Sequence, residues 1–241
     1  MKILAIADRP PRKGLKDLVE KEGVDLIVTL GDLEYLQLIE LNSINLPKIG
    51  VYGNHCSGNY FSDLNIKDVH LQTFKFGGLI FGGFEGSHKY KEDEYAKMYT
   101  QDQAKKLLKD FPYVDVFLSH SPPKGVNDED DVAHIGLEAL RTYVEENKPK
   151  YFLHGHTYPK KGEEVTRLGD TEIIYVQGDK IINLSEIDKE NEDRKKIRNY
   201  LHQVIKERSE IPNDQRIPIS NPEKYNLPLG HPELNKDKKI N

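Results

Sequence analysis

Short apolar runs of strand character alternate with helical patterns along residues 1–185 of this 241-residue chain. The runs are rich in Ile, Val, Phe and Tyr, the side chains that favour strands. Strands that alternate with helices predict an α/β fold with mostly parallel pairing. The predicted strands are Lys2–Ala7, Asp25–Leu30, Pro47–Tyr52, Leu79–Phe84, Val114–Ser119, Tyr151–Leu153, Glu172–Gln177 and Lys180–Leu184.

Apolar residues at helical spacing fill several of the intervals between these strands. Capping residues and glycines mark the ends of the helices, as Thr100 and Gly23 do. The predicted helices are 15–22, a helix that follows Asp32, 101–111 and 136–147.

Two β-hairpins are expected as well. One lies within Phe74–Phe84, where glycines interrupt a strand pattern. The other joins the last two predicted strands through Gly178 and Asp179, a pair typical of tight turns.

Composition excludes several classes of protein. Cys56 is the one cysteine, so an internal disulfide framework and a zinc site of several cysteines are ruled out. No apolar stretch approaches the length of about 20 residues that a membrane span needs. A net charge of −5 gives no bulk electrostatic attraction for nucleic acid. We therefore expect a soluble cytoplasmic protein with no membrane partner.

Polar side chains follow the predicted strands at the points where the strands end. Because ligands of open α/β sheets bind outside the carboxyl ends of the strands, these side chains are candidates for one shared site. Carboxylate, amide and imidazole donors together suit Mn, Fe or Zn. The residues are Asp8, Asp32, Asn54, His55, His120 and His156.

Each of these residues also has an ordinary explanation. An Asp after a strand is often a helix cap or a turn residue, and an Asn after Gly often forms a turn. A single buried His is commonly a hydrogen-bonded core residue. The whole set, in which each member follows an apolar strand, is hard to attribute to coincidence. His134 is assigned to a surface or turn position.

The order of these residues resembles that of the calcineurin-like metallophosphoesterases. That family carries the string D-x-H, G-D, G-N-H-D/E, H and G-H-x-H, and this chain carries matching blocks in the same order. The resemblance covers about residues 1–186 and implies a four-layer α/β/β/α sandwich, in which helices flank two mixed sheets. We expect residues 1–186 to form the catalytic domain.

The resemblance also implies roles for the residues that match. The second metal of the family would be held by Asp32, Asn54, His120 and His156. Asp32 would bridge to a first metal that Asp8 also ligates. A metal-bound hydroxide would attack phosphorus, and His55 would stabilise the transition state and protonate the leaving oxygen. The implied cofactor is Mn or Fe, with Zn as a further candidate, at one or two ions per chain.

Two ligands of the first metal are replaced in this chain. Pro10 stands where D-x-H has its histidine, and Tyr158 stands where G-H-x-H ends. Proline has no side-chain donor, and tyrosine binds metal only as a phenolate. Tyr158 is therefore a ligand only for a strongly acidic ion such as Fe(III). Cys56 also replaces the carboxylate that ends the third block.

Two other residues are candidates to compensate. Tyr35 lies three residues after Asp32, where purple acid phosphatases of this superfamily have a tyrosine that ligates iron; alternatively it packs in the core. Arg9, next to Asp8, is placed to neutralise phosphate where a metal is missing; alternatively it is a solvent-facing arginine.

Residues 187–241 differ in character from the rest of the chain. Apolar residues form one stripe along Asp188–Glu210, which predicts an amphipathic helix, and prolines recur from Pro212 onward. We expect this segment to pack on the chain's own sheets or helices; the alternative is an oligomer formed through the helix.

The function expected from these features is hydrolysis of a phosphodiester or phosphomonoester. A different class of function is compatible with the replaced ligands, namely an inactive scaffold of the same fold that binds a ligand or a partner. The sequence gives no strong evidence for nucleic acid as a partner; the expected substrate is a phosphate ester.

Overall fold

The computed structural model describes residues 1–11 and 14–185. The chain divides between Glu186 and Ile187 into two units. The helix predicted over 188–210 and the proline-containing segment after it lie outside the described residues. Their packing and any part in an oligomer stay predictions.

The described residues form strands and helices close to the predicted ones. The strands are β1 (Lys2–Ala7), β2 (Leu26–Thr29), β3 (Lys48–Gly50), β4 (Lys67–Asp68), β5 (Thr73–Phe76), β6 (Leu79–Phe84), β7 (Ser87–His88), β8 (Met98–Tyr99), β9 (Val116–Ser119), β10 (Tyr151–His154), β11 (Val165–Leu168), β12 (Thr171–Tyr175) and β13 (Gly178–Asn183). The helices are α1 (Leu15–Glu22), α2 (Tyr35–Leu38), the 3-10 helix Ile39–Ser43, α3 (Gln101–Leu108) and α4 (Glu138–Asn147).

Both large sheets are mixed. The first has the order β13-β1-β2-β3-β4, in which β13 runs antiparallel to β1 and the other pairs are parallel. The second has the order β11-β12-β10-β9-β6-β5, with antiparallel pairs at its two edges. The central strands of each sheet therefore end at a common edge.

Helices cover one face of each sheet. Leu15 and Val19 of α1 pack in one core cluster with Leu4 and Ile6 of β1. The intervening residue of β1, Ala5, is also fully buried, so the other face of the strand is covered as well.

A second core cluster lies on the other sheet. Leu108 of α3 and Leu140 of α4 pack there with Phe117 of β9 and Phe152 of β10. Helices on both sheets confirm the four-layer sandwich.

The helix ends follow the predicted signals, with one difference. Thr100 caps α3: its hydroxyl accepts a hydrogen bond from the Gln103 backbone N–H at 3.2 Å, and the Gln103 side chain accepts one from the Thr100 N–H at 2.9 Å. The helix predicted after Asp32 is shorter than expected, because α2 gives way to the 3-10 helix at Ile39.

One predicted hairpin is present and the other is wrong. β5 and β6 form the hairpin expected within Phe74–Phe84. The strands on either side of Gly178 do not pair with each other, because β12 lies in the second sheet and β13 pairs with β1 in the first. Gly178, at φ 66°, marks the turn where the chain passes between sheets, and the hairpin partner of β12 is β11.

Within the described residues, every helix is too short or too polar to span a lipid bilayer.

Candidate functional site

The candidate residues lie just beyond the carboxyl ends of strands from both sheets. β1, β2 and β3 of the first sheet lead into Asp8, Asp32 and the Asn54-His55 pair, and β9 and β10 of the second lead into His120 and His156. The two sets meet between the sheets. The strand ends thus bring together side chains that are up to 148 positions apart in the sequence.

His120 lies at the centre of the set and is fully buried. Its Nδ1 lies 2.8 Å from the carbonyl oxygen of Leu30, so this nitrogen donates the hydrogen bond and fixes the ring. Its Nε2 faces Asn54 Oδ1 at 3.0 Å and Asp32 Oδ2 at 3.4 Å. A histidine that binds a metal through one ring nitrogen commonly donates a hydrogen bond to a backbone carbonyl through the other. His120 has this second hydrogen bond.

The charges of His120 and Asp32 are linked. Burial is the largest single influence on the pKa of His120 and would lower it, but the charge and hydrogen bond of Asp32, together with Asp8 and the Leu30 carbonyl, outweigh burial and raise that pKa to about 9. Burial would likewise raise the pKa of Asp32, but the charge and hydrogen bond of His120, together with His55, outweigh burial and hold that pKa well below its usual range. The protein without an ion therefore has a proton on His120 at the position where a cation would be bound.

Asp32 is linked to the turn that carries Asn54 by a hydrogen bond. Asp32 has a left-handed backbone, φ 51°, and its Oδ1 accepts a hydrogen bond from the His55 backbone N–H at 2.8 Å. Asn54 is only 3% exposed, and its Nδ2 has no hydrogen-bond partner among the described residues. A buried amide with an unpaired donor indicates that the site is completed by a further group.

His156 approaches from the second sheet. Its Nε2 lies 2.9 Å from the carbonyl oxygen of Ala133, to which it donates, which leaves Nδ1 as the free ring nitrogen. The ring centroids of His156 and His120 are 4.8 Å apart. Burial, and then the charge of His120, lower the pKa of His156 to about 3, so this side chain is a neutral donor at physiological pH.

These residues fit one divalent ion. Asp32, His120 and His156 each offer a ligand atom within 4.8 Å of the others, and the carbonyl oxygen of Asn54 adjoins them. A carboxylate, an amide oxygen and two imidazoles are donors suited to Mn, Fe or Zn. The proton that His120 carries in the absence of an ion marks a point where the site stabilises positive charge, which is consistent with a bound cation.

Asp8 belongs to the same site but is used differently. Both of its carboxylate oxygens accept the backbone N–H of His156, at 3.0 and 3.1 Å. Gly155 is required beside it, because a Cβ at that position would lie 2.8 Å from Asp8 Oδ2. Burial raises the pKa of Asp8 to about 6, because the nearby positive charges do not fully offset the cost of burying the carboxylate.

A second ion has an incomplete set of ligands. Pro10 is exposed and offers no donor, and the Tyr158 side chain is 60% exposed, with its ring 5.8 Å from that of His134. Tyr35 is partly buried against the core cluster that contains Leu38. Asp8 and Asp32 are the carboxylates left for such an ion, so the described residues do not fit a closed second metal site. The ligand roles of Tyr35 and Tyr158 stay predictions.

His55 lies at the solvent side of the site and is exposed. Its Nε2 lies 3.3 Å from the hydroxyl of Tyr90, a contact that sequence reasoning missed. Tyr90 lies in the segment between β7 and β8. Glu85 anchors the end of that segment, because the Glu85 carboxylate accepts a hydrogen bond from Tyr99 Oη at 2.8 Å and pairs with Lys97 at 3.2 Å. Nothing in the mixed charge pattern of that segment marks Tyr90 in advance.

A second group of possible ligands adjoins the site. Glu129, Asp131 and His134 have ligand atoms within 4.8 Å of one another, and the His134 ring lies 5.3 Å from that of His156. The predicted surface or turn position of His134 is thus a half-buried one beside the site. Its Nδ1 is paired with the Asp131 carboxylate at 2.9 Å, which accounts for the group without an ion.

His154 supports the site from behind. It is fully buried, with Nδ1 2.9 Å from the Gly155 carbonyl oxygen and Nε2 3.2 Å from Asn127 Nδ2. Burial lowers the pKa of His154 to about 4, so its ring is neutral at physiological pH and supports the site through packing and hydrogen bonds.

Comparisons with known proteins point to one family. A family model described as calcineurin-like phosphoesterase matches residues 2–160. The lariat debranching enzyme of Schizosaccharomyces pombe is 25% identical over an alignment that covers 59% of this chain and 44% of that enzyme. The chain therefore matches less than half of the length of this curated relative.

Solved structures have the same fold. The crystal structure of TT1561 from Thermus thermophilus superposes with a TM-score of 0.52 at 17% identity, over 73% of this chain and 89% of that chain. Another crystal structure superposes with a TM-score of 0.57 at 18% identity, over 76% of this chain and 99% of that one. At these identities the likeness supports the fold alone.

Proposed function

Because the chain belongs to the calcineurin-like phosphoesterase family, we propose that it hydrolyses phosphate esters with one divalent metal ion per chain, Mn or Fe, with Zn as a further candidate. The observation that carries this proposal is the convergence of Asp32, His120 and His156 within 4.8 Å, with Asn54 beside them. A scaffold would not need four ligating side chains at one buried point.

The residues of the chain divide the work of the reaction. A bound ion would lower the pKa of a water and offset phosphate charge. The four ligands hold one geometry, because His120 and His156 are each fixed through a second ring nitrogen. They are Asp32, Asn54, His120 and His156. Arg9, exposed beside Asp8, neutralises a phosphoryl oxygen. His55, exposed at the solvent side of the site, gives its proton to the leaving oxygen.

A phosphodiester suits the site better than a monoester. Arg9 and His55 are both exposed, so the solvent side of the site is open and leaves room for a second ester group. The curated relative is named for debranching lariats. A cytoplasmic location remains part of the proposal, on the composition of the chain.

The scaffold function remains the second candidate, on one observation. Pro10 and the exposed Tyr158 leave the second ion without its usual ligands. A protein that binds a phosphorylated ligand without turnover would tolerate these changes.

Hydrolysis of bis(p-nitrophenyl) phosphate by the full chain loaded with Mn²⁺ tests the proposal. We expect His55→Ala to lower kcat by about 10²- to 10⁴-fold, the range for a lost general acid, with unchanged metal content. Ser57→Ala, in the same exposed loop, is the matched control and should retain the wild-type rate. A loaded wild-type protein without turnover would support the scaffold, and equal rates in wild type and His55→Ala would show that the hydrolysis comes from elsewhere.

A further inference from the structure

Tyr175, the last residue of β12, has a hydroxyl group without a partner. The residue is 8% exposed, and its Oη is buried with no hydrogen bond among the described residues. A buried hydroxyl in this state is unfavourable unless another group satisfies it, so native proteins seldom retain one without a reason. No role is assigned to Tyr175 by the motifs of the sequence.

The position of Tyr175 is at the edge of the sheet where the site lies. β12 runs parallel to β10, and Tyr175 is paired in register with His154. The two rings are 5.7 Å apart, and the next residues after His154 are Gly155 and His156, which enclose Asp8.

Tyr175 lies among charged groups of the site. Burial is the main cause that raises the pKa of its phenol above the usual range; Asp8, Tyr158 and Glu129 raise it further, and Arg9 acts in the opposite direction. The hydroxyl therefore stays protonated and can serve as a hydrogen-bond donor. It shares its surroundings with the two residues that follow β1.

We propose that Tyr175 donates a hydrogen bond to a phosphoryl oxygen bound beside Arg9, at the position where this chain lacks the ligands for a second ion. The inference rests on the proposed function and adds a substrate-binding residue to it. A neutral phenol and a guanidinium together replace part of the charge that a second cation would offset. The free protein leaves this donor unpaired because its acceptor belongs to the substrate.

The first test is the stability of the full chain without ligand. Tyr175→Phe removes a hydroxyl with no partner, so its Tm should equal or exceed that of the wild type. Tyr143→Phe is the matched control, because the buried Tyr143 hydroxyl donates to the Pro112 carbonyl at 2.7 Å and accepts from the Val114 N–H at 3.1 Å. The control should lose several degrees. A similar loss in Tyr175→Phe would overturn the proposal, since the hydroxyl would then have a structural partner.

The second test is the binding of inorganic phosphate to the same proteins loaded with Mn²⁺, followed by calorimetry. We expect Tyr175→Phe to bind phosphate about tenfold more weakly or worse, the size of a lost hydrogen bond to a charged acceptor. Tyr143→Phe should bind it like the wild type, and the Mn content should be the same in all three.

The outcomes separate the two claims. If the wild type binds phosphate and Tyr175→Phe binds it equally well, the role of Tyr175 is wrong and the proposed function stands. If Tyr175→Phe instead loses an Mn ion, the residue is a metal ligand and the proposal is overturned. If the loaded wild type does not bind phosphate, the proposed function and this inference both fail.

Discussion

His120 Nε2 lies 3.0 Å from Asn54 Oδ1, although the two side chains follow strands of different sheets. Each is fixed on its own sheet: His120 by the Leu30 carbonyl, and Asn54 by the turn in which the His55 N–H bonds to Asp32. The ligand geometry therefore depends on how the two sheets pack. Substitutions at this contact should affect the metal before they affect the fold.

Loss of the Asn54 side chain should weaken metal binding. In Asn54→Ala the ion loses one oxygen ligand, and a buried amide that has an unpaired donor is also removed. We expect the affinity for Mn²⁺, measured by calorimetry, to fall by about tenfold or more, with little loss of stability. Asn59→Ala, at an exposed position of the same loop, is the control. Equal affinities in the two variants would remove Asn54 from the ligand set.

Gly31 should not tolerate a side chain. Its φ is 94°, and a Cβ there would lie 2.4 Å from the Gly53 backbone nitrogen and 2.7 Å from His120 Nδ1. We expect Gly31→Ala to lower the free energy of unfolding by about 3 kcal/mol or more, as backbone strain and overpacking add. Gly58 is the control, because it has φ 77° and open space around it. Gly58→Ala therefore introduces backbone strain without overpacking and should lower the free energy of unfolding by only about 1–2 kcal/mol. Urea denaturation that gives equal losses would show that the close contacts with Gly53 and His120 add nothing to the backbone strain.

Removal of the Arg9 side chain should act on substrate binding. The guanidinium is exposed beside Asp8, where it can meet a phosphoryl oxygen. We expect Arg9→Ala to raise KM for bis(p-nitrophenyl) phosphate by about tenfold and to leave Mn content unchanged. Arg167→Ala removes a mostly exposed arginine that pairs with Glu172 at 3.3 Å, and it should leave KM as it is. If Arg9→Ala keeps the wild-type KM, Arg9 is a solvent-facing arginine with no part in substrate binding.

His154 should make the metal-free protein sensitive to acid. Burial lowers the pKa of His154 to about 4, whereas an unfolded histidine has a pKa near 6.5. Below about pH 6.5 the unfolded chain binds a proton at His154 that the folded chain does not. The contribution of His154 to the free energy of unfolding is therefore complete above about pH 6.5 and is lost as the pH falls toward about 4. The loss should approach about 3 kcal/mol.

The measurement is the free energy of unfolding from urea titrations between pH 7 and pH 4, for the wild type and His154→Gln. Glutamine keeps an acceptor for Asn127 without a titrating ring. The variant should show a flatter decline in this range, even if it is less stable at pH 7. Parallel curves would mean that His154 does not carry the acid sensitivity.

The strand ends could be predicted because local signals determine them. Apolar runs fix where β1, β2 and β9 stop, so Asp8 and Asp32 fall at the carboxyl edge of the first sheet and His120 at that of the second. The family string placed the same residues in one site, and the structure brings Asp32, His120 and His156 together.

Contacts that depend on tertiary packing could not be predicted. The turn at Gly178 has the signal of a hairpin, yet β13 pairs with β1, because a turn does not specify which sheet receives the next strand. Tyr90 reaches His55 from a segment with no regular pattern. Tyr175 ends β12, but the predicted strand runs on to Gln177, so the rule that identified His120 does not reach Tyr175, and tyrosine is not a typical ligand.

The metal content of the purified full chain, loaded with Mn²⁺ and measured by mass spectrometry, tests the central claim most directly. We predict about one ion per chain for the wild type, little or none for Asp32→Asn, and an unchanged content for Asp131→Asn. The last variant alters the neighbouring group of Glu129, Asp131 and His134, and serves as the matched control. Two ions in the wild type, or an ion that persists in Asp32→Asn and disappears in Asp131→Asn, would contradict the account.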